Sequence, residues 1–414
     1  MKIGIVTQKY HPLVGGVETH TRQLAHGLSV RHDVRVAATN FAACRLPARL
    51  RAFESDLLAP AHNDFHDNAV PVHAIAPRRG DRLWMLPMAL MALPRVQRYA
   101  YDKARAFAYR FYRRVFVERL VSTLAGTDVV HCMGGGYLGW ASQEVARAMR
   151  LPFVCTPFVH PGQWGDSPLD VEYYLRCDRL IALLPTDKEY LVSLGIPRER
   201  IRVIGVSPDS PASVDPASFR ARHGLAGAPI ILYLRRMMPR KGSRAILAAA
   251  SRVWEKFPEA RFVFAGPASG PEPLQFRNAD PRISYLGKLG WQEKGDALAA
   301  CDIFCMPSTS EILPTVYLEA WSYGKPVVGG TAPGLRELVE GNGAGLVADQ
   351  EPRRLAESLV RLLSDADLRR RLGRRGRRLV ESRYSVEAVT DQIESLYRCL
   401  LMPAGHENRA PAFV

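Results

Sequence analysis

Residues Ile303 to Gly330 read IFCMPSTSEILPTVYLEAWSYGKPVVGG. The apolar run Ile303 to Met306 has the length of a buried strand, a Ser/Thr/Pro-rich turn follows, and helix-spaced apolar residues precede a second strand at Pro326-Val327-Val328. Strand, helix, strand is the repeating unit of a parallel sheet, because parallel neighbours need a crossover. Glu311 and Glu319 lie inside this unit. If the residues between them are helical, the two carboxylates stand about two turns apart and the helix N-terminus, an anion-binding position, opens near Glu311.

Outward from this unit the same alternation occurs twice. A first series of strands is expected at Lys2 to Thr7, Asp33 to Thr39, Asp128 to Cys132, Pro152 to Thr156, Arg179 to Leu183 and Arg200 to Ile204, with a helix from about Val17 to Leu28 after the first. A second series covers Pro229 to Leu234, Arg261 to Ala265, Ile283 to Leu286, Ile303 to Met306, Pro326 to Val328 and Gly345 to Val347. A restart of this kind predicts two doubly wound α/β domains. The Pro/Ser-rich stretch Ser207 to Pro216 separates them. Ligands in such folds bind beyond the C-terminal strand ends, so a cleft between two facing sheets is expected. The expected boundaries are 1–206, 207–384, a C-terminal helix over 385–402 that crosses back to the first domain, and a disordered tail over 403–414.

A chain of 414 residues is too long for one ordinary core, and 47% hydrophobic with 23% charged residues is the composition of a globular enzyme. No apolar run is long enough to span a bilayer and the N-terminus leads straight into a strand, so a cytoplasmic protein is expected. Seven cysteines without a CxxC pair indicate neither a disulfide framework nor a zinc site. The net charge of +15 is concentrated between Arg78 and Leu120, where eleven basic residues face three acidic ones among many aromatic and aliphatic side chains. That mixture describes a peripheral segment on an anionic membrane surface, or equally two surface helices whose apolar faces are covered by their own domain. A second basic run, Arg369 to Arg378, reads as a solvated helix face, and no nucleic-acid module accompanies it.

Four constellations carry chemistry. Gly15-Gly16-Val17-Glu18 follows the first strand, where glycines let backbone approach a phosphate or sugar, although a plain strand-to-helix turn has the same form. Arg236 and Lys241 follow the first strand of the second series and suit a diphosphate; alone they also read as an exposed loop. Ser284-Tyr285-Leu286-Gly287 ends a strand where backbone groups could hold a nucleobase, a slight signal by itself. The fourth is the opening stretch itself.

Together these pieces resemble glycosyltransferase family 4, the retaining nucleotide-sugar transferases of the GT-B fold, over nearly the whole chain to about Leu401. The resemblance rests on Gly15-Gly16-Val17-Glu18-Thr19, Asp128-Val129-Val130-His131, Ala182 to Tyr190, Arg236 with Lys241-Gly242, and Glu311 through Glu319 followed by Gly324-Lys325-Pro326-Val327-Val328. It implies two Rossmann-like domains facing a central cleft. It also implies transfer of a sugar from a UDP- or GDP-sugar to an acceptor hydroxyl, with no cofactor beyond that co-substrate and no metal. Arg236 and Lys241 would bind the diphosphate, with Gly15 and Gly16 against it and backbone N–H groups around Leu313 and Thr315 completing the cradle. Pro314 would occupy a first helical position. Glu311 would contact the donor sugar and Glu319 the ribose, while Leu286 and Gly287 would hold the base.

Three positions depart from the family pattern. Arg235 stands where glycine is usual, Gly205-Val206-Ser207 replaces the usual Asn-Gly hinge, and Phe158 occupies the place of the family's histidine. His160, two residues on, reads either as the histidine that reaches the site, a catalytic residue beside Glu311, or equally as an ordinary loop histidine; His131 reads as structural. Asp365-Ala366-Asp367 reads as a helix start rather than a metal motif. The acceptor is expected to be lipid-linked or at a membrane surface, with a soluble small-molecule acceptor as the alternative. A GT-B protein that binds nucleotide sugar without turnover is the reading of another class.

Overall fold

The computed structural model describes residues 1–13, 15–41, 62–99, 101–268, 276 and 280–402; the expected tail over 403–414 lies outside them. The chain forms two compact units, one from residues 1–182, 188–204 and 389 onward, the other from 183–187 and 205–388.

The first unit is built on strands β1 (Lys2–Lys9), β2 (Asp33–Asn40), β3 (Phe65–Asp67), β4 (Val70–Ala74), β5 (Val129–Met133), β6 (Phe153–Thr156), β7 (Arg179–Ala182) and β8 (Ile201–Val203). Their order is β3-β4-β2-β1-β5-β6-β7-β8, parallel throughout except for β3 against β4. Alternation along each strand divides the core. Ile3, Ile5, Val34, Val36 and Val129 belong to one cluster, while Val6, Ala37, Val130, Cys132 and Cys155 belong to the other. Burial on both faces explains why these strands are nearly continuous apolar runs. The helix Val386–Leu401 places Val389, Ile393, Leu396 and Tyr397 in the first of those clusters.

The strands β3 and β4 are absent from the sequence expectation. They are short, they carry His66 and Pro71, and β4 gains strand form by pairing with β2. Tertiary pairing overrides weak propensity there.

The second unit holds β9 (Ile230–Leu234), β10 (Arg261–Ala265), β11 (Ile283–Tyr285), β12 (Ile303–Met306), β13 (Val327–Gly329) and β14 (Gly345–Val347). Their order, β11-β10-β9-β12-β13-β14, is parallel in every pair and reverses direction between β9 and β12. A reversal point leaves a crevice at the strand C-termini, where open α/β sheets bind ligands.

The basic aromatic segment forms helices Arg79–Met85, Pro94–Tyr99 and Tyr101–Leu124 with a 3-10 turn over Leu86–Ala92. Met85, Met88, Tyr112, Phe116 and Leu120 are buried in the core of the first unit. Leu83, Trp84, Leu86, Leu90, Leu93 and Phe107 are not, each remaining 44% to 70% exposed. The apolar faces are therefore covered only in part. No helix among the described residues is long and apolar enough to cross a membrane.

Candidate active site

In the second unit the predicted residues gather at the C-terminal ends of β9 to β12. After β9 the chain makes a 3-10 turn, Pro239–Lys241, and enters the helix Ser243–Trp254 through Gly242. Gly242 has φ +87°, and a Cβ there would lie 2.5 Å from the Pro307 ring, so glycine is demanded by both conformation and contact. The turn is joined to the loop after β12: the Arg240 carbonyl accepts from Thr309 N–H at 3.0 Å and from the Ser308 hydroxyl at 3.2 Å. Gly330, after β13, closes on the same loop, since a Cβ would sit 2.0 Å from the Ser308 carbonyl oxygen.

This stitching brings Lys241 to Glu311. The ammonium donates to Glu311 Oε1 and to the Ser310 carbonyl, both at 2.6 Å, and the two side chains are largely buried. Burial pushes Lys241 below the usual lysine value, and the neighbouring Glu311 carboxylate opposes that shift. Arg236 is exposed at the end of β9, and Arg235 beside it is half-buried. Leu286 and Gly287 follow β11: Leu286 N–H donates to the Phe264 carbonyl, and Gly287 adopts φ +66° while its carbonyl accepts from Gly266 N–H at 2.6 Å.

The helix of the opening stretch begins at Thr315 and ends at Ser322, with Pro314 as its N-cap. Two expectations change accordingly. Glu311 precedes the helix on the loop, so the carboxylates do not share one helix, and Pro314 sits just outside the first helical position. A proline disfavours helical backbone in the residue before it, which keeps Leu313 and Glu311 out of the helix. Glu319 is on the helix and buried, and its Oε1 accepts from Lys294 Nζ at 2.9 Å. Lys294 was not among the anticipated residues; nothing in its local sequence connects it to a carboxylate on another helix.

The remaining predicted site residues, Gly15, Gly16 and His160, belong to the first unit. Gly15 caps the helix Gly16–Ser29 in extended conformation, and its carbonyl accepts from Thr19 N–H. His160 lies in a closed turn in which it exchanges backbone hydrogen bonds with Trp164, its ring 3.9 Å from the indole. Phe158 carries φ +50°, an uncommon conformation for an aromatic residue, and packs edge-on to buried His20. His131 is fully buried between the Tyr397 hydroxyl at 2.6 Å and the Thr156 hydroxyl at 2.8 Å, and burial pushes it down to about 3. That is a structural role. Asp365 caps the helix Ala366–Leu379 by accepting from Leu368 N–H.

With this geometry in place, the comparisons with known proteins divide the chain as its structure does. The profile of Glycosyltransferase Family 4 matches residues 14–206, and that of Glycosyl transferases group 1 matches residues 217–379. The chain belongs to glycosyltransferase family 4. Among curated relatives, a GDP-mannose-dependent monoacylated alpha-(1-6)-phosphatidylinositol monomannoside mannosyltransferase of Corynebacterium glutamicum is 32% identical over 41% of this chain and 46% of its own length. Alpha-D-kanosaminyltransferase of Streptomyces kanamyceticus is 27% identical over 68% of this chain and 79% of its own. Anabaena HepE, solved in complex with UDP and glucose, superposes with a TM-score of 0.71 at 18% identity, covering 96% of this chain and all of that one. The last likeness establishes the GT-B fold, two Rossmann-like parallel-sheet domains.

Proposed function

We propose that this family 4 glycosyltransferase is a retaining, metal-independent enzyme. It would move a sugar from a UDP- or GDP-sugar to an acceptor hydroxyl presented at an anionic membrane surface. The observation that carries the donor reading is the grouping of Lys241, Glu311 and the start of the helix Thr315–Ser322 at the reversal point of the second sheet. Lys241, Arg236 and the N–H groups around Leu313 and Thr315 supply fixed positive charge for a diphosphate, which removes the need for a metal to balance it. An incoming diphosphate competes with Glu311 for the Lys241 ammonium, and the released carboxylate then meets the hydroxyls of the donor sugar. Glu319 takes the ribose, and the backbone at Leu286 and Gly287 takes the base. Gly15 and Gly16 are assigned to the diphosphate and His160 to the reaction itself.

In the proposed step the acceptor oxygen bonds to the anomeric carbon on the face from which the diphosphate leaves. The carbon–oxygen bond to the diphosphate breaks, and a diphosphate oxygen takes the acceptor proton. The chain's contribution is positioning and stabilisation of developing charge. The name of the C. glutamicum relative joins a GDP-sugar to a lipid acceptor, and the partly exposed apolar and basic helices of residues 79–124 agree with such an acceptor.

Thermal unfolding with a panel of UDP-, GDP- and ADP-sugars tests the donor. One nucleoside series should raise the midpoint, with no change on adding EDTA. No shift with any of them would refute a nucleotide-sugar donor.

A further inference from the structure

Lys294 sits on the helix Trp291–Ala300, one turn after Trp291. Its ammonium bridges two groups: it donates to Glu319 Oε1 at 2.9 Å and to the Asp209 carbonyl at 2.8 Å. Asp209 lies within the second unit, in the stretch ahead of β9, and its carboxylate accepts from the Trp291 indole N–H at 2.9 Å. The same segment is tied further along by Tyr323, whose hydroxyl donates to the Pro211 carbonyl at 2.7 Å. Glu319 and Lys294 are both mostly buried, with side-chain exposures of 8% and 19%. A buried carboxylate needs a partner, and one held at a single oxygen by a fixed cation keeps a defined orientation with its other oxygen available.

We propose that Lys294 is a positioning residue for the donor nucleoside: it orients Glu319 for the ribose hydroxyls and anchors that carboxylate to the stretch ahead of β9 at Asp209. The inference rests on the assignment of Glu319 to the ribose. Lys294 itself touches no substrate in this arrangement. Its effect should therefore appear as discrimination between ribose and deoxyribose, where a merely structural role would weaken all ligands alike.

The test is calorimetric titration of UDP, GDP and ADP, and of their 2′-deoxy and 3′-deoxy forms, into the parent protein and into Lys294→Met, Lys294→Arg, Glu319→Gln and the Lys294→Met/Glu319→Gln double variant. The parent should prefer the ribo form of one nucleotide over at least one deoxy form by about tenfold, the scale of a hydrogen bond to a charged group. Lys294→Met should weaken the ribo form by about that factor and leave the deoxy form nearly unchanged, and Lys294→Arg should restore most of the preference. The double variant, which leaves no unpaired buried charge and so controls for misfolding, should match Glu319→Gln alone. Equal weakening of ribo and deoxy forms in Lys294→Met, or no weakening, overturns the role of Lys294. An unchanged preference in Glu319→Gln defeats the ribose assignment instead, and failure of the parent to bind any of the three nucleotides defeats the donor reading beneath both.

Discussion

Lys241 and Glu311 are both legible in the sequence as candidates, yet their pairing is not. Sixty-nine residues separate Lys241 from Ser310, and the pairing of β9 with β12, the Gly242 contact with Pro307 and the Arg240 contacts with Ser308 and Thr309 bring the two loops together. The pair changes what a mutation at Glu311 should do. In Glu311→Ala, turnover should fall by about 10²- to 10³-fold, the scale of losing one group aimed at the reacting centre. Nucleoside diphosphate binding should hold or tighten, because Lys241 no longer has a competing carboxylate. Steady-state kinetics beside direct binding of UDP and GDP check both halves; parallel loss of turnover and binding would remove Glu311 from the sugar. Lys294 shows the limit of reading residues singly, since its significance lies entirely in what stands across from it.

At the scale of elements, strand positions follow from apolar runs, because strands buried on both faces tolerate little else. The failures have particular causes. The β3–β4 hairpin depends on β2 for its pairing, and the helix after β12 starts at Thr315 because Pro314 disfavours helical backbone in the residue before it. The helices of residues 79–124 are the case where sequence allowed two readings. Arg105 is held by Asp170 at 2.7 Å, Arg113 by Glu144 at 2.7 Å and Arg119 by Asp81 at 2.5 Å, so part of the basic charge serves the fold. Arg114 instead lies 4.1 Å over the exposed Trp84 ring, and Arg95, Lys103 and Arg110 are exposed. Exposed apolar side chains interleaved with exposed cations are the signature of interfacial binding. The protein should therefore sediment with phosphatidylserine vesicles and not with phosphatidylcholine ones. A Trp84→Ser/Leu86→Ser/Leu90→Ser variant should lose most of that binding, while failure of the parent to sediment would leave the segment without a membrane role.

For the whole molecule, the buried histidines of the first unit make stability depend on pH. Burial pushes His131 down to about 3 and His20 down to about 4, from an ordinary 6.5. Both stay neutral in the fold while the unfolded chain takes up protons near 6.5, so the unfolded state binds more protons below that value. Stability is lost as pH falls through the window from about 6.5 to the folded values. Asp187, pushed up to about 6 by burial, runs the opposite way in the second unit and regains stability as pH falls. Urea unfolding of the first unit between about pH 7 and about pH 5 should show a falling midpoint, and His20→Leu should flatten the slope by about one proton. An unchanged slope would mean that His20 is protonated in the fold.

Fold class, the two-domain division and most of the proposed donor-site residues are legible in local sequence: apolar runs of strand length, turn residues between them, and charged or glycine residues placed just past strand ends. These signals depend on spacing along the chain, which one sequence displays in full. Which charges meet is another matter. The Lys241–Glu311 and Lys294–Glu319 pairs, the exposure of Trp84 and Leu86, and the burial of His131 beneath Tyr397 join residues far apart in the chain. Only the sheet order and the packing of helices on it decide those neighbours, because contact energy depends on distance in space and not on separation in sequence.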